Sequence, residues 1–536
     1  RGEQMRESLL KIKNGLGGMV RLARALPAFF RDPITLARAR EEIEKGVARR
    51  GENFLELART RIYADPASPY LRLLKIAGCE FSDLRAGVLA HGLEATLTRL
   101  AGEGVYLTAD EFKGKKEVVR GRERFRVAPE HFQLRETAPG LLIQTGGTTG
   151  KPVGSTASLE RLAYSARALA IFLDAHDFFA ASHALQDSVL PGSGGTSCLL
   201  TYVNVGVVPE RWFARTAPSK NRLGAFYHYA TMGLIVALGK LYGPGFPRPE
   251  FVPAEEIVPW ILQQRARGKT CCVMTATSNA VRIARLAAEM GVSLEGAKFL
   301  ATGEPLTDVK REIIVRSGAG VTCRYAFTEL GVVAFGCGNP RFADEVHVHQ
   351  NLATSVSHPT PVGAGEAIHP LLFTTVHPSA DRLLLNVANG DYGVLEKRDC
   401  GCALEKAGLD LHLHGIRSYE KFTGEGMNYF YAELFELIEK ALPAEFGGGV
   451  GDYQLVEEED KNGQTRLTLR VDPRVGAVDR EKLLARLRAE LGRGSWGNEY
   501  QARIWDGAGT LRILREAPFA GAREKILPLQ LQKRSE

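Results

Sequence analysis

The sequence predicts an α/β protein, with a large domain built on mixed sheets followed by a small α+β domain. Three observations carry that expectation. Short β-rich runs such as Gly140–Thr145, Thr270–Met274 and Ala297–Ala301 alternate with helical segments such as Leu159–Leu173, Val258–Arg267 and Asn279–Met290. Alternation of this kind belongs to crossover units in a sheet. The pattern changes near Gly390, where short turn-rich segments lead to Gly415. Finally, the 536 residues are 44% hydrophobic, enough for two to four units with a sizeable core at roughly 100–200 residues per domain.

In chain order, residues 1–65 read as a helical extension ending in the loop signal Asp65-Pro66-Ala67-Ser68-Pro69. Within it, Leu9–Phe30 carries Lys11, Lys13, Arg21 and Arg24 and no acid among Leu, Met, Val and Phe. Residues 9–30 are therefore a candidate for peripheral membrane contact, although docking of the apolar stripe on the protein's own domain is the favoured expectation. Glu80–Phe132 is mixed and helical, with a basic segment from Lys113 to Arg126. The large domain is expected over residues 66–416 and the small one over 417–536. The latter reads as a helix (Tyr431–Leu442), strands at Tyr453–Asp460 and Thr465–Val471, the helix Asp479–Leu491, and a strand at Tyr500–Trp505.

Composition excludes disorder, fibres and a disulfide scaffold: eight Cys over this length fit a reducing cytosol. The net charge, 69 − 62 = +7, suits an anionic small ligand but is not the footprint of nucleic-acid binding. The uncharged stretches Ser188–Pro209 and Leu223–Gly239 are too broken or too short to span a bilayer and read as core. The opening Arg-Gly-Glu-Gln-Met has no apolar run before a cleavage site, and a cytoplasmic location is expected.

The most informative segment is Leu141-Leu142-Ile143-Gln144-Thr145-Gly146-Gly147-Thr148-Thr149-Gly150-Lys151-Pro152. Glycines let backbone approach phosphate oxygens, hydroxyls donate to them and a Lys neutralises them. It is not a Walker loop, which needs four residues between its glycines and Ser or Thr after the Lys. Here three residues separate Gly146 from Gly150, and Pro152 follows Lys151.

The segment resembles the phosphate motif of the adenylate-forming superfamily, with Gly146 in place of the usual Ser and Val153 in place of a second Lys. Three further motifs resemble that superfamily in the same order. Gly303-Glu304-Pro305-Leu306 is similar to its adenine turn. Arg324-Tyr325-Ala326-Phe327-Thr328-Glu329 is similar to its Tyr-Gly-x-Thr-Glu, implying that Tyr325 and Ala326 lie on adenine, Thr328 on phosphate and Glu329 on Mg²⁺. Asn389-Gly390-Asp391 is similar to its Thr-Gly-Asp, implying Asp391 on the ribose.

Ser68-Pro69-Tyr70-Leu71-Arg72 and Gly426-Met427-Asn428-Tyr429-Phe430 resemble the phenylacetate-CoA ligase-like branch. Its hinge is altered here to Gly415-Ile416-Arg417-Ser418-Tyr419-Glu420, with Arg417 the candidate ribose or phosphate contact. The resemblance implies a large N-terminal adenylate-forming domain and a mobile C-terminal lid. It makes Lys525 the candidate catalytic Lys, whose charge would stabilise the transition state of adenylation. Ser193 and His228 are candidates for the acid pocket. Cys337, His347, Cys400 and Cys402 resemble a structural zinc set of that branch, and three Cys with one His suit closed tetrahedral zinc.

The expected function is AMP-forming activation of a small carboxylic acid by Mg·ATP, then transfer to coenzyme A. Transfer to a carrier-protein thiol, a protein cysteine or an amine is the alternative acceptor chemistry. A nucleotide-binding protein without catalysis is the alternative from another class. A dimer is one open expectation for the assembly.

Overall fold

The computed structural model describes residues 2–135, 138–144, 154–189, 194–214, 222–362, 366–418, 421–424, 427–430, 434, 437–449, 451–460, 462–492, 505, 507–519 and 529–531. Its N-terminal helix, Gly2–Arg31, buries Leu22, Leu26 and Phe30, one side of a helix at i, i+4 and i+8. That stripe packs on the helix Arg222–Tyr242, and Phe30 meets Phe246 with ring centroids 5.3 Å apart. The basic N-terminal segment thus docks on the protein's own core from Leu22 onward. Among the described residues, no helix is long and apolar enough to cross a membrane.

The main body is a 12-stranded sheet. One half is parallel: Ala297–Thr302, Cys271–Ala276, Ser182–Gln186, Arg211–Phe213 and Pro249–Glu250 follow outward from Gly320–Phe327. The other half is antiparallel and runs from Gly331–Gly336 through Val346–Val348, Leu411–Ser418, Val387–Lys397 and Pro370–Thr375 to Ala353–Ser357. Strands such as Cys271–Ala276 are buried throughout and mostly apolar because helices cover both faces of a parallel sheet. Two large apolar clusters lie against the sheet. One contains Phe299, Ala301 and Val273, the other Leu300, Met274 and Trp212, so alternate residues of the same strands feed opposite faces.

Gly390 does not begin a turn-rich region. It lies within an 11-residue strand, Val387–Lys397, which accommodates its φ of +84° beside a register shift against Leu411–Ser418. The C-terminal part has a four-stranded sheet ordered Leu511–Leu514, Thr465–Val471, Tyr453–Glu459, Leu529–Leu531. The helix Arg480–Leu491 begins at an Asp479 cap and buries Leu483, Leu487 and Leu491. The helical segment expected at Tyr431–Leu442 is seen as a π-turn Leu437–Ala441 running into Leu442–Phe446, with Pro443 tolerated in the first turn. Trp505 is helical and fully buried rather than part of a strand, and the strand comes later, at Leu511. Residues 500–504 lie outside the described set.

Candidate functional site

The strand Gly320–Phe327 is parallel to one neighbour and antiparallel to the other. Open α/β sheets bind ligands beyond the carboxyl ends of strands where the order switches. Here that end carries Tyr325, Ala326, Thr328 and Glu329, and a register shift between Tyr325 and Ala326 re-aims the side chains. Thr328 and Glu329 lie half-buried in the turn to Gly331. Tyr325 O–H donates to Asp391 Oδ2 at 2.6 Å, and Asn389 Nδ2 donates to Tyr325 Oη at 2.6 Å. Ser418 Oγ–H donates to Asp391 Oδ1 at 2.6 Å. Burial, reinforced by the Asp391 carboxylate, pushes the Tyr325 phenol well up, so it remains a donor. Two motifs that are 66 residues apart in the chain therefore share one hydrogen-bond cluster.

The strands Gly140–Gln144 and Gly154–Ser158 form an antiparallel pair with Gln144 opposite Gly154. The Gly/Thr loop thus connects two paired strands, unlike a strand–loop–helix phosphate loop. Thr145, Gly146, Gly147, Thr148, Thr149, Gly150 and Lys151 themselves lie outside the described residues. The helix Leu159–Ala175 follows at once, capped by Ser158. Arg161 in its first turn donates from Nε to Asp381 Oδ2 at 2.5 Å and from Nη1 to the Leu330 carbonyl at 3.1 Å. The Ser158 amide also donates to Asp381 Oδ2, at 3.1 Å. This buried pair ties the root of the Gly/Thr loop to the turn holding Thr328 and Glu329. Gly331 is required beside it: its φ is +78°, and a Cβ there would lie 1.8 Å from Arg161 Nη1.

On the adjacent strand, Gly303 turns the chain with φ +79° into Glu304-Pro305. Ser278 Oγ–H donates to Glu304 Oε1 at 2.7 Å, and Thr277 Oγ1–H donates to the Glu304 carbonyl at 3.1 Å. Lys310, 2% exposed, reaches Glu304 at 3.7 Å, Glu459 at 3.6 Å and Thr465 Oγ1 at 3.1 Å. A buried cation thus joins the expected adenine turn to the C-terminal sheet. Arg417 directs Nη1 to Asp344 Oδ2 at 3.0 Å, and the same carboxylate accepts from the Gly415 and Ile416 amides. Arg417 is next to Ser418, and its described ion pair is with Asp344. Ser193 and Lys525 lie outside the described residues; His228 lies on the helix Arg222–Tyr242, and its side chain is outside them.

Sequence reasoning missed Arg161, Asp381 and Lys310. Arg161 left a signal: it falls on the helix stripe of Ser165, Ala168 and Phe172, all buried, where a charge demands a partner.

Cys337, His347, Cys400 and Cys402 come together as the sequence predicts, their ligand atoms all within 4.8 Å of one another. His347 Nε2 lies 3.2 Å from Cys402 Sγ and 3.6 Å from Cys400 Sγ, while its Nδ1 contacts the Leu409 carbonyl at 2.6 Å. The carbonyl fixes the tautomer that leaves Nε2 free to ligate. The Cys337 thiol and the His347 ring pull the Cys402 thiol far down, toward the thiolate that a metal needs. Three sulfurs and a nitrogen at these spacings fit tetrahedral zinc. Arg398 and His412 both contact Glu345 behind Cys337. Burial opposes ionisation of Glu345, but the Arg341 amide and Arg398 hold its carboxyl below the usual range. The cluster sits beyond the Lys397 end of the strand that carries Asp391. Six residues at about 3.4 Å each set it roughly 20 Å away. That distance suits a structural role.

No protein-family profile matches the chain, and no curated protein sequence does. Among solved structures it is similar to 2-hydroxyisobutyryl-CoA ligase in complex with 2-HIB-AMP and CoA. The two are 15% identical over 94% of this chain and 91% of that one, with a TM-score of 0.49. It is also similar to an amide bond synthetase from Marinactinospora thermotolerans, 12% identical over 94% of this chain and 97% of that one, with a TM-score of 0.43. With both scores under 0.5 at such identities, nothing of those proteins' chemistry transfers to this chain on that ground.

Proposed function

We propose that this protein is an AMP-forming carboxylic-acid ligase of the adenylate-forming superfamily, phenylacetate-CoA ligase-like branch. The observation that carries the reading is the convergence at the switch point. Tyr325 and Asp391 share a hydrogen bond, the Gly303-Glu304 turn lies on the neighbouring strand, and Arg161 links the Gly/Thr hairpin to Thr328-Glu329. An aromatic ring, a diol-binding carboxylate, a hydroxyl and a second carboxylate at one sheet edge suit adenine, ribose, phosphate and the magnesium that accompanies ATP.

In this reading the acid's carboxylate oxygen attacks the α-phosphorus of ATP in line, and pyrophosphate leaves. A carboxylate is a poor acyl donor, whereas the mixed anhydride carries AMP as leaving group. Coenzyme A thiolate then attacks the acyl carbon and releases AMP. Lys151 and the loop amides neutralise the phosphates, Thr328 donates to them, and Lys525 stabilises charge on the α-phosphate during the first step. Residues 417–536 act as the lid, hinged at Arg417-Ser418. The Cys337, His347, Cys400 and Cys402 cluster would hold one zinc ion, which would supply cross-linking and no chemistry.

The test is mass spectrometry after incubation with Mg·ATP, coenzyme A and a pool of aryl and aliphatic acids. An acyl-CoA with AMP supports the full reading. AMP or acyl-adenylate without thioester redirects the second step to a carrier-protein thiol, a protein cysteine or an amine. ATP binding without pyrophosphate release for any acid refutes catalysis.

A further inference from the structure

Resting on the acid-ligase reading, we infer that the acid carries a second carboxylate, gripped by Arg324, so that the substrate is a dicarboxylic acid activated at one end. Arg324 precedes Tyr325 on the switch-point strand, and successive strand residues face opposite sides of the sheet. Tyr325 lies toward Phe327 and Phe373. Arg324 lies toward the other layer, where it is paired in register with Phe335 and where Leu300, Met274 and Cys198 form part of the apolar cluster. A guanidinium in such company is out of place as packing.

Its contacts reinforce the point. Arg324 Nε donates to Thr302 Oγ1 at 3.2 Å, and Nη1 donates to Cys198 Sγ at 2.9 Å. Burial pushes the Cys198 thiol up against the pull of Arg324, so this sulfur carries a proton and no charge at neutral pH. Both partners are therefore neutral. The Asp187 carboxylate acts on the guanidinium through space. Its Oδ1 accepts from the Ser188 amide at 2.6 Å and the Ser188 hydroxyl at 3.2 Å, and the carboxylate keeps its charge. As a residue Arg324 is half-buried, at the layer that also holds Thr302 and Cys198. A cation held by a hydroxyl and a thiol on an apolar wall is arranged to receive an anion, and a guanidinium fork matches a carboxylate.

The position makes that anion a second one. Thr302 directly precedes the Gly303-Glu304 turn, and Cys198 sits on the helix Gly194–Asn204, so the guanidinium lies between the expected nucleotide edge and that helix. Thr328, expected at the phosphates, is four residues further along, just past the end of the strand, at most roughly 13 Å away at about 3.3 Å per residue. The carboxylate that is activated must meet the α-phosphate there. An acid that also reaches Arg324 must have two ends.

The experiment measures pyrophosphate release by the wild type with matched pairs: glutarate and pentanoate, adipate and hexanoate, terephthalate and benzoate. In at least one pair the diacid should be favoured by about 100-fold or more in kcat/KM, because a site built for a charged group rejects the analogue lacking it. Arg324→Leu should collapse that ratio toward one, and Arg324→Lys should keep part of it, with charge but no fork. Circular dichroism confirms that each variant is folded, and if Arg324→Leu is not, the wild-type ratio decides alone. Pyrophosphate released with ratios within about threefold in every pair, or with the monoacids favoured, overturns this inference and leaves the ligase reading standing. No pyrophosphate from any acid overturns the ligase reading and this inference with it.

Discussion

Replacing Asp381 by Leu should cost the large domain about 3–5 kcal/mol, the measured range for removing one partner of a buried ion pair. Arg161 and Asp381 are 5% and 9% exposed and meet at 2.5 Å. At an effective dielectric of about 20, that separation corresponds to about 7 kcal/mol of gross attraction, much of which desolvation takes back. The Leu side chain is close in size, so packing changes little. What changes is that the Arg161 cation retains the Leu330 carbonyl as its described acceptor, and the Ser158 amide loses its carboxylate. Urea unfolding followed by tryptophan fluorescence reads the cost. The double variant Arg161→Met/Asp381→Leu should be less destabilised than the sum of the singles by about 1–3 kcal/mol, since the uncompensated charge is gone. Pyrophosphate release should fall in both singles because the pair joins the Gly/Thr hairpin to Thr328-Glu329. A single variant within about 0.5 kcal/mol of wild type, with additive energetics, would refute the claim that this pair organises the site.

Purified protein should contain about one equivalent of zinc, and Cys402→Ser should reduce it at least tenfold with a matching loss of stability, read by plasma mass spectrometry and melting. A wild type with under about a tenth of an equivalent ends the zinc reading. Burial holds the His377 imidazole, stacked on Tyr164 at 4.0 Å, down to about 4 against 6.5 unperturbed. The unfolded chain then takes up the extra proton between those values, so stability rises with pH from about 4 to 6.5 and is lost on acidification. His377→Phe keeps a ring in the stack and should lessen the loss between pH 7 and about pH 4.5 by on the order of 1–2 kcal/mol in urea midpoints. Lys310→Met removes the cation between Glu304 and Glu459, and hydrogen exchange should then accelerate in both the Gly303–Leu306 turn and the strand Tyr453–Glu459; unchanged exchange in either would show that the latch is not energetic.

Much of the parallel half of the sheet was legible because short, mostly apolar runs stand between helical periods, as at Cys271–Ala276 and Ala297–Thr302. The antiparallel half was harder to read. Val387–Lys397 contains Asn, Gly and Asp, which local propensity assigns to a turn, yet pairing on both sides holds it extended. Trp505 likewise has the intrinsic preference of a strand residue, and burial in the small C-terminal core overrides it. Local motifs revealed Tyr325, Asp391 and the four metal-ligand candidates because each chemistry restricts residue type. Arg161, Asp381 and Lys310 escaped because Arg161 and Asp381 lie 220 residues apart and Lys310 reaches across 459 − 310 = 149 residues to Glu459, and no short pattern records such pairings.

The Cys and His cluster has a consequence for how the antiparallel half finds its alignment. His347 grips the Leu409 carbonyl two residues before the strand Leu411–Ser418, and Cys400 and Cys402 follow the strand Val387–Lys397 with which it pairs. The cluster therefore anchors the far end of a two-strand ruler whose near end carries Asp391 opposite Ser418. A slip of one residue along that ruler would turn Asp391 to the opposite face of the sheet. Four side chains at the far end of the strand pair thus hold the alignment on which the facing of the Asp391 carboxylate depends.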